Sequence, residues 1–404
     1  MSAVADQPSD GFRISQLIYD TRYRSYTIQI FAMLALMLSF AWLINNVIEN
    51  FAALGKDFSF GFIFETASYD INQRLIDYDS TRSHGRAAIV GILNTLLVAV
   101  MGCITATVIG VVAGVLRLSN NWIVARLMTI YVEAFRNVPV LIWILIVVAV
   151  INESLPAPKA FRGEEGLDGL LWGSVFLTNR GFYVPQPVFL DSSMIVVIVF
   201  LLSLVGIWFF GRWSTARQAA TGEILPTFWI KTAIFFVPAL LVYFILGMPI
   251  VLEYPELKGF NFRGGIHMRD SLIGLWLALS IYTGAFIAEN VRAGILSVSK
   301  GQTEAAYALG LRPNRTMNLV ILPQALRVII PPLISQYLNL TKNSSLAIAV
   351  GYMDVTGTLG GISLNQTGRE MECILLLMAF YLAASLSISA VMNVYNERTK
   401  LKER

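Results

Sequence analysis

The sequence predicts an all-α integral membrane protein with about eight transmembrane helices. Three observations predict it. Apolar residues make up 56% of the 404 residues and charged residues only 14%, against about 45–50% and about 25% in a soluble domain. The mean hydropathy is +0.64. Uncharged runs long enough to cross a bilayer recur from near one end of the chain to the other. So apolar a chain is neither a soluble globule nor disordered, since disorder requires low hydrophobicity.

A hydrocarbon core of about 30 Å takes about 20 helical residues. Six stretches meet that length without a charge: 28–48, 87–116, 192–211, 232–252, 271–288 and 373–396. Two weaker ones complete the set. The stretch 137–152 is short, and 127–133 is the segment that would extend it. The stretch 328–341 contains Pro331 and Pro332, which a membrane helix tolerates when neighbours satisfy the freed carbonyls. The first 27 residues are polar and the apolar run after them is too long for a signal-peptide core, so no cleaved signal is expected. Phe12, Ile14, Leu17 and Ile18 share a helical face beside Arg13, Arg22 and Arg24, which reads as an interfacial helix at 1–27.

Eight spans put both termini on one side. With that side inside, 18 of the 30 Lys+Arg fall in inside segments and 12 in the longer outside ones. The positive-inside rule therefore places both termini, including the basic tail 397–404, in the cytoplasm. The outside loop 153–191 carries Phe161, Trp172, Phe176, Phe182 and Tyr183 among its prolines and glycines, and is expected to form an ordered cap.

Much chemistry is absent. No GxxxxGK[ST], HExxH or GxSxG occurs, and no catalytic constellation replaces them. Two histidines, His84 and His267, fall in outside loops and are expected to be solvated. Two cysteines provide neither a disulfide framework nor a zinc site, so no metal is expected. No basic run interleaves with aromatics, which argues against nucleic acid. Proton-coupled carriers usually need intramembrane carboxylates, and the uncharged runs offer none. An ion-coupled secondary carrier acting alone remains the alternative, because sodium sites need only carbonyls at unwound helices.

The most informative segment is the long inside loop 289–327. Ser299 or Thr303 suits a helix N-cap, and Glu304 would sit in the first turn, favoured by the dipole. Ala305, Ala306 and Ala308 make a small-residue face. Gly310 suits a left-handed C-terminal position, and Pro313 starts a second helix. Such a pair reads as a plug for a partner's groove or as an amphipathic connector.

Glu304-Ala305-Ala306, Gly310, Val320 and Leu322-Pro323 stand at the spacing EAA-x3-G-x9-I-x-LP, with valine for isoleucine. This resembles the EAA loop of ABC importer permeases. Glu289-Asn-Val-Arg292, Gly301-Gln302, Pro323-Gln324-Ala325, Lys342-Asn-Ser-Ser-Leu346, Asn94-Thr95-Leu96 and Arg136-Asn137-Val138-Pro139 resemble the polar-amino-acid branch of that family, in its lengthened Q-type form. The resemblance implies a type I ABC importer transmembrane domain over 87–396, a five-helix core with three extra spans. Two of these lie in 192–252 and the first in 28–86. It implies ATPase docking by Glu304, Ala305, Ala306 and Gly310 as a coupling helix. It implies a homologous second permease, an ATPase homodimer that holds the ATP and magnesium, a periplasmic amino-acid-binding protein and an L-amino acid substrate. The setting is a bacterial inner membrane, with no cofactor or catalytic residue in this chain. Glu289 and Arg292 are expected as a structural pair or a gate, the former also within reach of Arg136. Lys342 is expected at a substrate carboxylate, at Asp354 or Glu370, or at headgroups. Asn94 and Thr95 are expected to line the path or to hydrogen-bond between helices.

Overall fold

The computed structural model describes residues 21–53, 55, 57–163 and 166–399, and the chain divides into two units between Phe62 and Ile63. The first unit holds α1 (Thr21–Ala53), a helix apolar on every side over its middle. The stretch 12–18 lies outside the described residues, and the tail is described as far as Thr399.

The second unit carries α2 (His84–Leu116), α3 (Trp122–Asn137), α4 (Val140–Ser154), α5 (Ser193–Thr221), α6 (Thr227–Ile245), α7 (Asp270–Leu296), α8 (Lys300–Ala308), α9 (Leu322–Asn343) and α10 (Glu370–Thr399). Among the described residues, eight helical segments are long and apolar enough to cross a membrane.

The central element is α7, flanked by α2, α3, α4 and α9. Its Leu272, Leu275, Leu279 and Ile287 are fully buried. The closest neighbour is α2, and the sequence explains why. Gly110 and Gly114, about one turn apart, both face α7, while Gly102 faces Leu340 of α9. A Cβ on Gly114 would stand 2.7 Å from the Ala288 carbonyl oxygen and 2.8 Å from Val291 Cβ, so only glycine lets the backbones meet. Lipid tails are as apolar as leucine, so close approach and dispersion hold such a pair together.

Three expected spans take a different form. The stretch 127–133 does not lengthen the third span but belongs to the separate helix α3. Val138 is extended and Pro139 begins α4, because the proline ring disfavours helical geometry at the residue before it. The stretch 232–252 stops being helical at Leu246. Gly247 and Met248 take left-handed φ of 72° and 58°, and Ile250–Glu253 becomes a strand. The seventh span runs longer than 328–341, from Pro313 through a π-turn (Met317–Ile321) into α9 and on to Val350.

The outside loops 153–191 and 253–270 fold together. Strands β1 (Phe176–Thr178), β2 (Gly181–Val184), β3 (Gln186–Phe189), β4 (Ile250–Glu253), β5 (Glu256–Lys258), β6 (Asn261–Arg263) and β7 (Ile266–Arg269) form three small antiparallel sheets, β1-β2-β7, β3-β4 and β5-β6. Phe176 stacks on Phe262 at 4.2 Å, and Phe161 meets both edge-on. Trp172 stands apart from that cluster, fully exposed on a left-handed backbone. Neither histidine is free in solvent. His267 stacks flat on Tyr183 at 4.2 Å, its basicity lowered by burial, and bonds the Arg180 carbonyl. His84 is buried at the start of α2, with Nδ1 2.8 Å from Ser363 Oγ.

Candidate functional site: the coupling loop and its charge cluster

The loop after α7 is built as its residues dictate. Gly294 brings α7 against α9, where a Cβ would meet Ile329. Ser297 ends α7 and bonds back to the Gly294 carbonyl at 2.7 Å. Ser299 takes the N-cap position of α8 with extended dihedrals but makes no side-chain cap bond. At the other end Gly310 has φ +75°. Its N–H donates to the Tyr307 carbonyl at 2.9 Å, and the Leu311 N–H donates to the Ala306 carbonyl at 3.1 Å. This is a complete Schellman closure, which needs the left-handed residue that glycine supplies without strain. Pro313 then opens the turn that runs into α9.

Within α8 one face is anchored and the other free. Ala306 is buried. Gln324 lies 3.4 Å from Gln302 and bonds the Val320 carbonyl, tying α8 to the base of α9. Glu304, Ala305, Tyr307, Ala308 and Leu309 are exposed, Leu309 at 82%. A short helix is thus packed on one side through Ala306 and Gln302 while it presents a carboxylate, small residues and two apolar side chains on the other.

Near the C-terminal end of α7, Glu289 gathers three cations. Arg292 lies one turn on, at 2.6 Å and 3.3 Å in a two-point contact. Arg117, from the end of α2, bonds the same carboxylate, and Arg136, from the end of α3, lies 3.9 Å away. Arg136 also sits over the Phe286 ring. One carboxylate on α7 therefore ties together the C-terminal ends of α2, α3 and α7.

Asn94 and Thr95 are fully buried in the N-terminal third of α2. Asn94 donates to the carbonyls of Gln73 (2.7 Å) and Met353 (2.9 Å). Thr95 Oγ1 accepts from the Val355 N–H at 3.0 Å and bonds the Gly91 carbonyl. Tyr352 closes the set through its hydroxyl to the Asn94 carbonyl. Lys342 is exposed at the end of α9, and among the described residues no carboxylate partners it. The docking residues, the charge cluster and the polar hub are three separate places, joined by α2, α7 and α9.

The family model described as the binding-protein-dependent transport system inner membrane component matches residues 106–401. The chain belongs to this permease family. Among curated relatives it is 52% identical, over the whole of both chains, to the glutamate/glutamine/aspartate/asparagine transport system permease protein BztB of Rhodobacter capsulatus. It is 44% identical to the general L-amino acid transport system permease protein AapQ of Rhizobium johnstonii, over 98% of this chain and 96% of that one. A solved amino acid ABC transporter with histidines resembles 78% of this chain and 95% of its own at 18% identity, with a TM-score of 0.45. The permease is a multi-pass protein of the bacterial inner membrane, and its family works with a binding protein and an ABC ATPase.

The permease also holds a hub between α9 and α10 that no motif in the sequence marks. Residues 344–363 form 3-10 and π-helical turns laid against α2 rather than a loop. Asp354 is fully buried there. It accepts from the Gly357 N–H at 2.8 Å, and the Tyr381 hydroxyl reaches it at 3.4 Å. Burial pushes its carboxyl up to about 6 against those hydrogen bonds. The available signal was the small residue at 91: a Cβ there would come 2.9 Å from the Asp354 carbonyl, which marks a close backbone crossing.

Proposed function

We propose that this permease forms half of the translocation pathway of an ATP-driven importer of polar L-amino acids. The other half is a homologous permease, and the fold is that of type I importers, with both termini cytoplasmic. The amino-acid class follows the names of the full-length relatives, and glutamate, glutamine, aspartate and asparagine are the first substrates to try.

The observation that carries the reading is the exposed face of α8. Glu304, Ala305 and the Gly310 turn stand at the EAA spacing on a helix end closed by the Schellman pair and contacted by Gln324 through Gln302, on a loop that the positive-inside rule favours as cytoplasmic. A closed helix end with an outward carboxylate suits a groove on a partner ATPase. ATP-driven closure of two such ATPases would draw two coupling helices together and swing α7 and α9 with them. The cluster at Glu289 locks α2, α3 and α7 so that this push moves them as one body. Lys342 stands at the far end of α9 and is the candidate contact for an entering carboxylate. Asn94 and Thr95 hold the polar hub to α2. The permease itself holds no catalytic centre or cofactor, because ATP and magnesium bind on the partner.

The test is purification of the tagged permease from its native membrane in mild detergent, with mass spectrometry of what accompanies it. A second permease and a Walker-motif ATPase are expected. Recovery of the chain alone, still transporting in liposomes, would overturn the reading.

A further inference from the structure

The helical hairpin α5–α6 belongs to neither the coupling loop nor the polar hub. The uncharged stretch of α5 ends at Arg212, and that of α6 begins after Lys231. The two cations stand at the same height across the hairpin. Lys231 Nζ lies 3.4 Å from where a Cβ on Gly211 would be, so the ammonium crosses α5 over a residue with no side chain. Arg212 lies over the Trp208 ring, 5.0 Å from its centroid. Among the described residues neither cation has a carboxylate partner. The nearest acidic group in sequence, Glu223, is already engaged by Arg217.

One face of α5, with Lys231 of α6 reaching over it, lines a shallow open cleft of about 800 Å³. Its floor is apolar, with Leu204, Ile207 and Trp208, and Thr215 stands one turn beyond Arg212. Two cations without a carboxylate, at the end of an uncharged stretch and beside the open apolar face of Leu204, Ile207 and Trp208, suit a phospholipid: phosphate on the cations, acyl chain along the face. Unpaired cations at a membrane surface attract negative lipid charge, and the guanidinium fork suits a phosphate oxygen pair. Indole rings favour the membrane interface.

We infer that the cleft on α5, with Lys231 of α6 over it, is a binding site for an anionic phospholipid, with its phosphate on Arg212 and Lys231 and an acyl chain along Leu204, Ile207 and Trp208. The site gives the hairpin a task distinct from transport: anchoring it, through bound lipid, at a fixed depth in the membrane.

The test uses the assembled transporter, purified in mild detergent and analysed by native mass spectrometry. It is then titrated in nanodiscs containing phosphatidylethanolamine with or without phosphatidylglycerol. One tightly retained phosphatidylglycerol or cardiolipin per permease is expected. Arg212→Gln with Lys231→Gln should weaken retention about thirtyfold, the effect of two cations near a membrane surface. Arg212→Lys with Lys231→Arg should keep most of it, which separates lost binding from lost folding. Arg217→Gln, which lies outside the cleft, should change nothing. Equal retention in the double Gln variant, or equal retention of phosphatidylethanolamine, would overturn the inference. So would displacement of the lipid by millimolar inorganic phosphate without acyl-chain dependence.

Discussion

Replacing Glu289 with glutamine removes the one carboxylate that Arg117, Arg292 and Arg136 share, and the exposures fix how much each pair should lose. The Arg117 side chain is 9% exposed, Arg292 32% and Arg136 36%, while Glu289 itself is 23% exposed. Breaking a buried pair by removing one partner costs about 3–5 kcal/mol, and an exposed pair is worth about 0–1 kcal/mol. Glu289 lies between those limits, so Glu289→Gln should cost about 2–3 kcal/mol. Most of that belongs to Arg117, whose Nε already lacks a partner and whose guanidinium would be stranded further. A double-mutant cycle separates the pairs. Glu289→Gln with Arg117→Gln should show a coupling of about 1.5–2 kcal/mol, and with Arg292→Gln less than about 1 kcal/mol. The assay is unfolding of the purified permease by SDS titration from mild detergent, followed by far-UV circular dichroism. Additivity within about 0.5 kcal/mol for Arg117, or stronger coupling to Arg292 than to Arg117, would refute the claim that Glu289 joins the C-terminal ends of α2 and α7.

Three further outcomes are expected. Gly114→Ala should destabilise by about 1–3 kcal/mol through overpacking against Ala288 and Val291, whereas Gly206→Ala, with only an ordinary 3.5 Å contact to Ile234, should be neutral or slightly stabilising; the same SDS titration compares them. The Asp354 carboxyl is raised from 3.8 to about 6 by burial, so the folded hub favours the protonated form. Its stability rises as pH falls through about 6, by about 1.4 kcal/mol between pH 7.5 and 5. After correction for intrinsic rates, amide exchange over 351–363 should slow about tenfold across that interval, and Asp354→Asn should abolish the dependence. Gly310→Val forces a β-branched residue to φ +75°, at about 1–2 kcal/mol, and should stop uptake and coupled ATP hydrolysis while membrane insertion stays normal, as should Glu304→Ala at the docking face.

The sequence states most plainly what local chemistry decides. Gly310 reads as a left-handed helix end, and the structure builds a Schellman closure on it. Glu289 and Arg292 read as an i,i+3 pair, and they are one. What it hides depends on contacts between distant segments. The strands of the cap pair residues from two loops on either side of α5 and α6, as in Tyr183 with His267, and no local periodicity announces such a pairing. The hub at 344–363 is polar and glycine-containing, which resembles a solvated loop until α2 supplies Gly91, Asn94 and Thr95 to receive it. The α2–α7 crossing was present in plain spacing as Gly110 and Gly114, but an apolar run long enough to span draws attention to length and away from its small residues. The end of α6 is half legible: Gly247 is the ordinary left-handed helix end, but Met248 taking the same region after it is not announced by its residue type.

The central claim is that α8 couples this permease to ATP hydrolysis on a partner. The most direct test is uptake of radiolabelled glutamate or glutamine into proteoliposomes holding the permease with its co-purified partners. ATP, the binding protein and an ion gradient are each supplied or withheld. The account predicts uptake only with internal ATP and external binding protein, indifferent to ion gradients and lost in Gly310→Val. Uptake by the permease alone, driven by a sodium or proton gradient and unaffected by Gly310→Val, would contradict it.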